Sequence, residues 1–145
     1  MNQTGLKSGY SLIEISFGLC LIALLVLSGS SFFFNNQKHQ LQVAVRKISS
    51  SLAVARFRSV HRQVPVRVIF KNNFCELAEY DPQSSVWRVT NRDFLEGVEV
   101  TSNNSPVFYP QGTVSNLATI KITNGGGCYQ ITIAITGRIK TTRLN

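Results

Sequence analysis

Two hydrophobic periods meet at one proline. From Ile15 to Phe34 the sequence carries no charge, a run of about twenty residues that as a helix would reach roughly 30 Å, the hydrocarbon thickness of a bilayer. Glu14 stands at its mouth. Further on, Leu41, Val45, Ile48, Leu52, Ala55 and Ser59 recur at alternating spacings of four and three, which marks one face of an amphipathic helix. Pro65 ends that pattern, because the residue before a proline disfavours helix. Beyond it the period is two: "PVRVIF", "FCELAEY", "VWRVT", "VEVTS", "VFY", "ATIKITN", "CYQITIAI" and "RIKTTRL" predict short strands. Lys71-Asn72-Asn73, Asn124-Gly125-Gly126-Gly127 and Thr136-Gly137 supply turn residues between them. A helix laying its stripe on one or two small antiparallel sheets gives an α+β domain.

Length and charge narrow this picture. The chain has 145 residues, one small domain beside the apolar segment. Of fifteen Lys and Arg, fourteen follow Asn36, against six acids, and the net charge is +8. That balance favours polyanions or anionic surfaces as partners and says nothing about fold. Lys38, Arg46, Lys47, Arg56, Arg58 and Arg62 accompany the amphipathic stripe and read as a solvated or subunit-facing surface rather than a nucleic-acid stripe. Cys20 lies within the apolar run, whereas Cys75 and Cys128 lie in strand-like segments. Two such cysteines in an exported domain predict a Cys75–Cys128 disulfide.

The N-terminus admits a cleaved secretory signal (Lys7, then Ile15 to Leu27, then Ser28-Gly29-Ser30), an uncleaved anchor, or a third arrangement. In the third, "SGYSLIE" resembles the processing site of type IV prepilins and type II secretion pseudopilins. The resemblance implies that a prepilin peptidase cuts after Gly9 and that Tyr10, the new N-terminus, is methylated. It also implies that Glu14 meets the N-terminal amine of a neighbouring subunit during assembly. A carboxylate in lipid is costly without a partner, and near a helix N-terminus the dipole favours it. "LAVARFRSVHRQVPVRVIF", "FYPQGT" and "CYQITIAITGRIK" are similar to the GspH/FimT branch of this family. The branch implies a long N-terminal helix against two antiparallel sheets, divided as a leader (1–9), an apolar transmembrane and assembly helix (10–34), an amphipathic helix (35–64) and an antiparallel β domain (65–145). Its expected location is the bacterial inner membrane, with the C-terminal domain periplasmic, before assembly with major and minor pilins or pseudopilins.

No catalytic set accompanies these features. His39 and His61 have no Cys or acid at ligand spacing. Glu76, Glu79 and Asp81 lack a glycine-bearing Ca²⁺ loop and read as a solvated strand edge. No cofactor or metal is expected, and the peptidase is a separate enzyme. In FimT-like proteins a basic C-terminal Gly-Arg-x-Arg segment binds DNA in natural transformation. The matching positions are Gly137, Arg138, Ile139 and Lys140, with Arg143 following. The resemblance thus implies non-specific contact with double-stranded DNA through Arg138, Lys140 and Arg143, helped by Lys121. The alternatives are a GspH-like secretion pseudopilin and a pilin without DNA affinity, in which these cations keep an edge strand soluble. With no recognition helix and no aromatic stacking platform evident, base readout is not expected.

Overall fold

The computed structural model describes residues 11–33 and 36–144, so the expected processing site at Gly9 and Tyr10 lies outside the described residues. Helix α1 spans Leu12–Phe33 and α2 spans Asn36–Arg62. Nine strands follow: β1 Val66–Lys71, β2 Phe74–Asp81, β3 Val86–Phe94, β4 Glu99–Ser102, β5 Val107–Phe108, β6 Val114–Ser115, β7 Thr119–Asn124, β8 Gly127–Ile133 and β9 Ile139–Leu144. The architecture is the α+β arrangement with two antiparallel sheets. Two compact units divide it, 1–36 and 37–145.

In the first unit the Ser11 carbonyl accepts the backbone N–H groups of Glu14 and Ile15 at 2.9 and 3.2 Å, opening α1 with Glu14 in its first turn. The apolar side chains from Leu12 to Leu27 are mostly exposed. The α1 backbone of 22 residues would reach about 33 Å. Among the described residues, however, no helix is long and apolar enough to cross a membrane. The transmembrane reading therefore rests on the uncharged run from Ile15 to Phe34 in the sequence.

In the second unit α2 buries Leu41, Val45, Ile48, Leu52, Ala55 and Ser59, the complete stripe read from the sequence, together with Ala44 and Ser51. A five-stranded sheet A has the order β3-β2-β1-β5-β6, and a four-stranded sheet B the order β4-β7-β8-β9. Val66, Val68, Leu77 and Phe108 from sheet A share one core with Ile120, Ile122, Ile131 and Ile133 from sheet B. The α2 stripe belongs to that same core and links the sheets. Burying each such aliphatic side chain contributes about 1.5–3 kcal/mol before entropy is charged against it. The strand β6, two residues long, was too short to leave a period in the sequence.

The expected disulfide is absent: Cys75 and Cys128 are free thiols. Alternation along each strand explains why. Cys75 points with Leu77 into the core, where it is fully buried. Cys128 has the opposite parity to Tyr129, Ile131 and Ile133, the β8 residues that pack on the core. Each thiol therefore belongs to a different sheet and a different layer. Burial, reinforced by the nearby Asp93 carboxylate, pushes the Cys75 thiol up to about 12, so it stays neutral across the physiological range.

Candidate functional site

Residues directly opposite in an antiparallel pair share a face, while neighbours along a strand alternate. With its isoleucines turned to the core, sheet B presents outward the cross-strand row Thr101–Lys121–Gln130–Thr142 and beside it Thr119–Thr132–Lys140. Arg138 lies just before β9 with the parity of Lys140, and the two line one depression with Thr132, Ile133 and Ala134. Lys121 stands two strands away. Strand spacing and rise put its Cα about 12 Å from that of Lys140. Glu99, on the edge strand β4, is the single acid among the strand residues of this face.

Arg143 does not join them. It has the parity of Ile139 and Thr141, pairs with Tyr129, and lies in a cleft with Lys38, Leu41, Gln42 and Gly126. The expected trio is therefore split: Arg138 and Lys140 face outward with Lys121, and Arg143 faces α2. Alternation along β9, with Arg143 in phase with Ile139 and out of phase with Lys140, is what separates them.

A tight turn delivers Arg138. The Gly137 N–H donates to the Ala134 carbonyl at 2.8 Å, and the Ala134 N–H donates to the Arg138 carbonyl at 2.9 Å. Gly137 has φ +75°, a region that glycine enters without a Cβ penalty. Space is as restrictive as conformation there. A Cβ at this position would stand 3.0 Å from both Arg56 Nε and the Gly112 carbonyl oxygen. Arg56 Nη1 also donates to the Gly137 carbonyl at 3.4 Å, so α2 braces the turn.

The acids of β2 are engaged by cations, while Asp93 on β3 accepts the Ser51 hydroxyl at 2.8 Å. Glu79 accepts from Arg58 at 3.3 Å and from Arg62 at 2.6 Å, tying the end of α2 to β2. Asp81 pairs with Arg88 at 2.8 Å. It also accepts the Ser84 hydroxyl and the Gln83 N–H, and these bonds hold its carboxyl below the ordinary value. Glu76 is buried, with Arg92 against its Oε1 and Lys71 3.9 Å from its Oε2. Its Oε1 has no aligned hydrogen-bond donor, so the Arg92 contact is one of charge rather than directed bonding. Glu76, Glu79 and Asp81 each form ion pairs along β2, in place of the solvated edge expected of them. His61 stacks on Phe57 with ring centroids 5.5 Å apart. Among the described residues no cluster of His, Cys, Asp or Glu is placed to hold a metal.

Comparison with known proteins adds to this geometry. The family described as type II transport protein GspH matches residues 44–137. No curated protein matches by sequence. Among solved structures, the minor pseudopilin EpsH of the Vibrio cholerae type II secretion system is similar, with a TM-score of 0.62 at 11% identity, over 74% of this chain and 96% of that one. The type IV minor pilin FimU of Pseudomonas aeruginosa has a TM-score of 0.61 at 17% identity, over 75% of this chain and 92% of that one. For Escherichia coli GspH the values are 0.59, 14%, 75% and 89%. At such identities the likeness concerns the fold.

Proposed function

The chain belongs to the GspH family, within the type IV pilin and pseudopilin superfamily, and from that premise we propose that it is a minor pilin that contacts double-stranded DNA through the outer face of sheet B. Subunits of this family are structural and assemble with other pilins or pseudopilins. The observation that carries the DNA reading is the shared orientation of Arg138, Lys140 and Lys121 on a face of Thr and Gln side chains. Cations on such a face meet phosphates, whose contacts position a duplex without reading its sequence. The acids of β2, held in ion pairs, do little to offset this positive face.

The same reading covers the N-terminus. A prepilin peptidase cuts between Gly9 and Tyr10, Tyr10 is N-methylated, and the uncharged run through Phe34 holds the subunit in the inner membrane until assembly. Glu14, in the first turn of α1, is the carboxylate that receives a neighbouring subunit's terminal amine.

The test is a titration of the full chain in detergent with a short duplex at several salt concentrations. Each neutralised phosphate contributes a slope of about −0.9 in log K against log salt. The Arg138→Ala/Lys140→Ala variant should flatten the slope by about 1.8 units. An unchanged slope in the folded variant would remove this face from the account. A second reading, a subunit of the type II secretion pseudopilus without DNA affinity, is favoured by the description of the matching family. It takes precedence if the wild-type chain leaves duplex DNA unbound.

A further inference from the structure

The outer face of sheet A differs chemically from that of sheet B. The β2–β3 register sets Phe74 opposite Phe94 and Tyr80 opposite Trp87. On β2, Phe74, Glu76, Ala78 and Tyr80 share the face turned away from Cys75 and Leu77, and β1 adds Arg67, Ile69 and Lys71 through its own pairing. A register shift near Leu77 and Ala78 keeps Val89 and Trp87 in line with Arg92 and Phe94. One face therefore collects four aromatic rings that are dispersed along the sequence.

Cations accompany each ring pair. The Arg67 guanidinium lies 4.2 Å from the Trp87 ring centroid. Arg92 and Lys71 lie 4.9 and 5.2 Å from that of Phe74. The rings of each pair are tilted at 60°, with centroids 5.3 Å apart for Tyr80–Trp87 and 6.2 Å for Phe74–Phe94. Phe94 is 57% exposed and Val89 52%, an unusual outlay of apolar surface on an open sheet. The single acid of this face among β1, β2 and β3, Glu76, is buried beneath Arg92 and Lys71. The cations are thus presented to solvent and the anion is not.

We propose that this face binds single-stranded DNA, with bases stacking on the exposed Phe94 ring and on the Arg67 and Arg92 guanidinium planes that cover Trp87 and Phe74, and with the edges of those guanidiniums and Lys71 meeting the phosphates. Stacking on aromatic side chains combined with backbone-tracking cations is the general chemistry of single-strand binding, and guanidinium planes accept bases as rings do. The two ring pairs are six positions apart along β2, about 20 Å, so an extended strand several nucleotides long meets a ring and a cation at each end. Duplex DNA hides its base faces and gains only the charge. A protein partner would use the same residue types differently, through anchors sunk in desolvated pockets, whereas here the cations lie over the rings on an open surface. The site stands apart from the outer face of sheet B and does not depend on it.

The chain contains one tryptophan among four tyrosines, so fluorescence excited selectively at tryptophan reports on Trp87 alone. The full chain in detergent is titrated with an oligothymidylate about a dozen nucleotides long, with the equivalent duplex in parallel. Saturable quenching of Trp87 is expected with the single strand, and much less with the duplex. Phe94→Ala, an exposed change that leaves the core untouched, should weaken single-strand affinity roughly tenfold. The quench should persist in Arg138→Ala/Lys140→Ala. Binding without Trp87 quenching, equal quenching by duplex, or unchanged affinity in Phe94→Ala would each overturn the proposal. So would the absence of binding, whether or not Phe94→Ala also lowers co-assembly with neighbouring pilins. A co-assembly defect in that case would assign the face to a subunit contact.

Discussion

Replacing Gly137 by Ala tests whether the turn before β9 has the rigidity its geometry implies. At φ +75° an L-residue is strained by about 1–3 kcal/mol. The new methyl would also meet the Gly112 carbonyl oxygen and Arg56 Nε, both at 3.0 Å. Arg56 can swing away at the loss of one long hydrogen bond of 3.4 Å, a fraction of the usual ~1 kcal/mol. The Gly112 backbone has less room to yield. The sum is about 2 kcal/mol. For a domain of this size, with a midpoint shift of about 4 °C per kcal/mol, the melting temperature should fall by about 8 °C. Thermal unfolding followed by circular dichroism at neutral pH measures this directly. Arg56→Ala, which removes the brace and leaves the turn intact, should shift the midpoint far less. If Gly137→Ala melts as the wild type does, the glycine is not conformationally required, and the turn cannot be what fixes the direction of Arg138.

Other outcomes follow from single features of the structure. A thiol reagent should modify Cys128 in the native chain and reach Cys75 only on unfolding; equal rates, or no free thiol at either position, would contradict the layer assignment. Cys75 has a folded value of about 12 against the ordinary 9.0. Its contribution to stability is therefore complete below pH 9 and is lost as pH rises toward 12, so denaturant midpoints should fall more steeply over that window in the wild type than in Cys75→Val. Arg143→Ala, on the α2 side of β9, should leave the salt slope of duplex binding unchanged, in contrast to the paired substitution at Arg138 and Lys140. Glu14→Ala should preserve expression and membrane insertion while reducing the amount of subunit recovered in sheared filaments.

What the sequence disclosed depended on the range of the forces involved. The α2 stripe was fully legible, because helical burial is set by spacing within a single element. Strand positions other than the two-residue β6 were legible for the same reason, and Pro65 marked the change of period. Faces were legible in principle: "CYQITIAI" already puts Cys128 on the side away from Ile131 and Ile133, and "RIKTTRL" parts Lys140 from Arg143. In both segments strand parity, not residue type, decides the face. The aromatic face of sheet A was not legible at all. It exists only because Phe74 meets Phe94 and Tyr80 meets Trp87 across two strands, and register is fixed by the whole sheet packing on its core. The partners of Glu76, Glu79 and Asp81 escaped the sequence likewise, since Arg58 and Arg62 reach Glu79 from α2.

The beginning of α2 is fastened to the β7–β8 turn. Asn124 Nδ2 donates to the Gln37 carbonyl at 2.7 Å and to the Gly97 carbonyl at 3.1 Å. The backbone of Lys38 passes so close to Gly126 that a Cβ there would stand 2.9 Å from its nitrogen. In mechanical terms this is a clamp at the first turn of α2, the turn that a pull applied from the N-terminal side would load first. A pull on α2 along its axis loads the buried stripe from Leu41 to Ser59 in shear, all contacts bearing together, only while that clamp keeps the first turn seated. With the clamp released, the helix can peel from its N-terminal end, and the contacts break one after another at far lower force. Asn124 and the glycines after it thus govern how the subunit bears load, and a bulkier residue at Gly126 should lower the rupture force far more than it lowers the melting temperature.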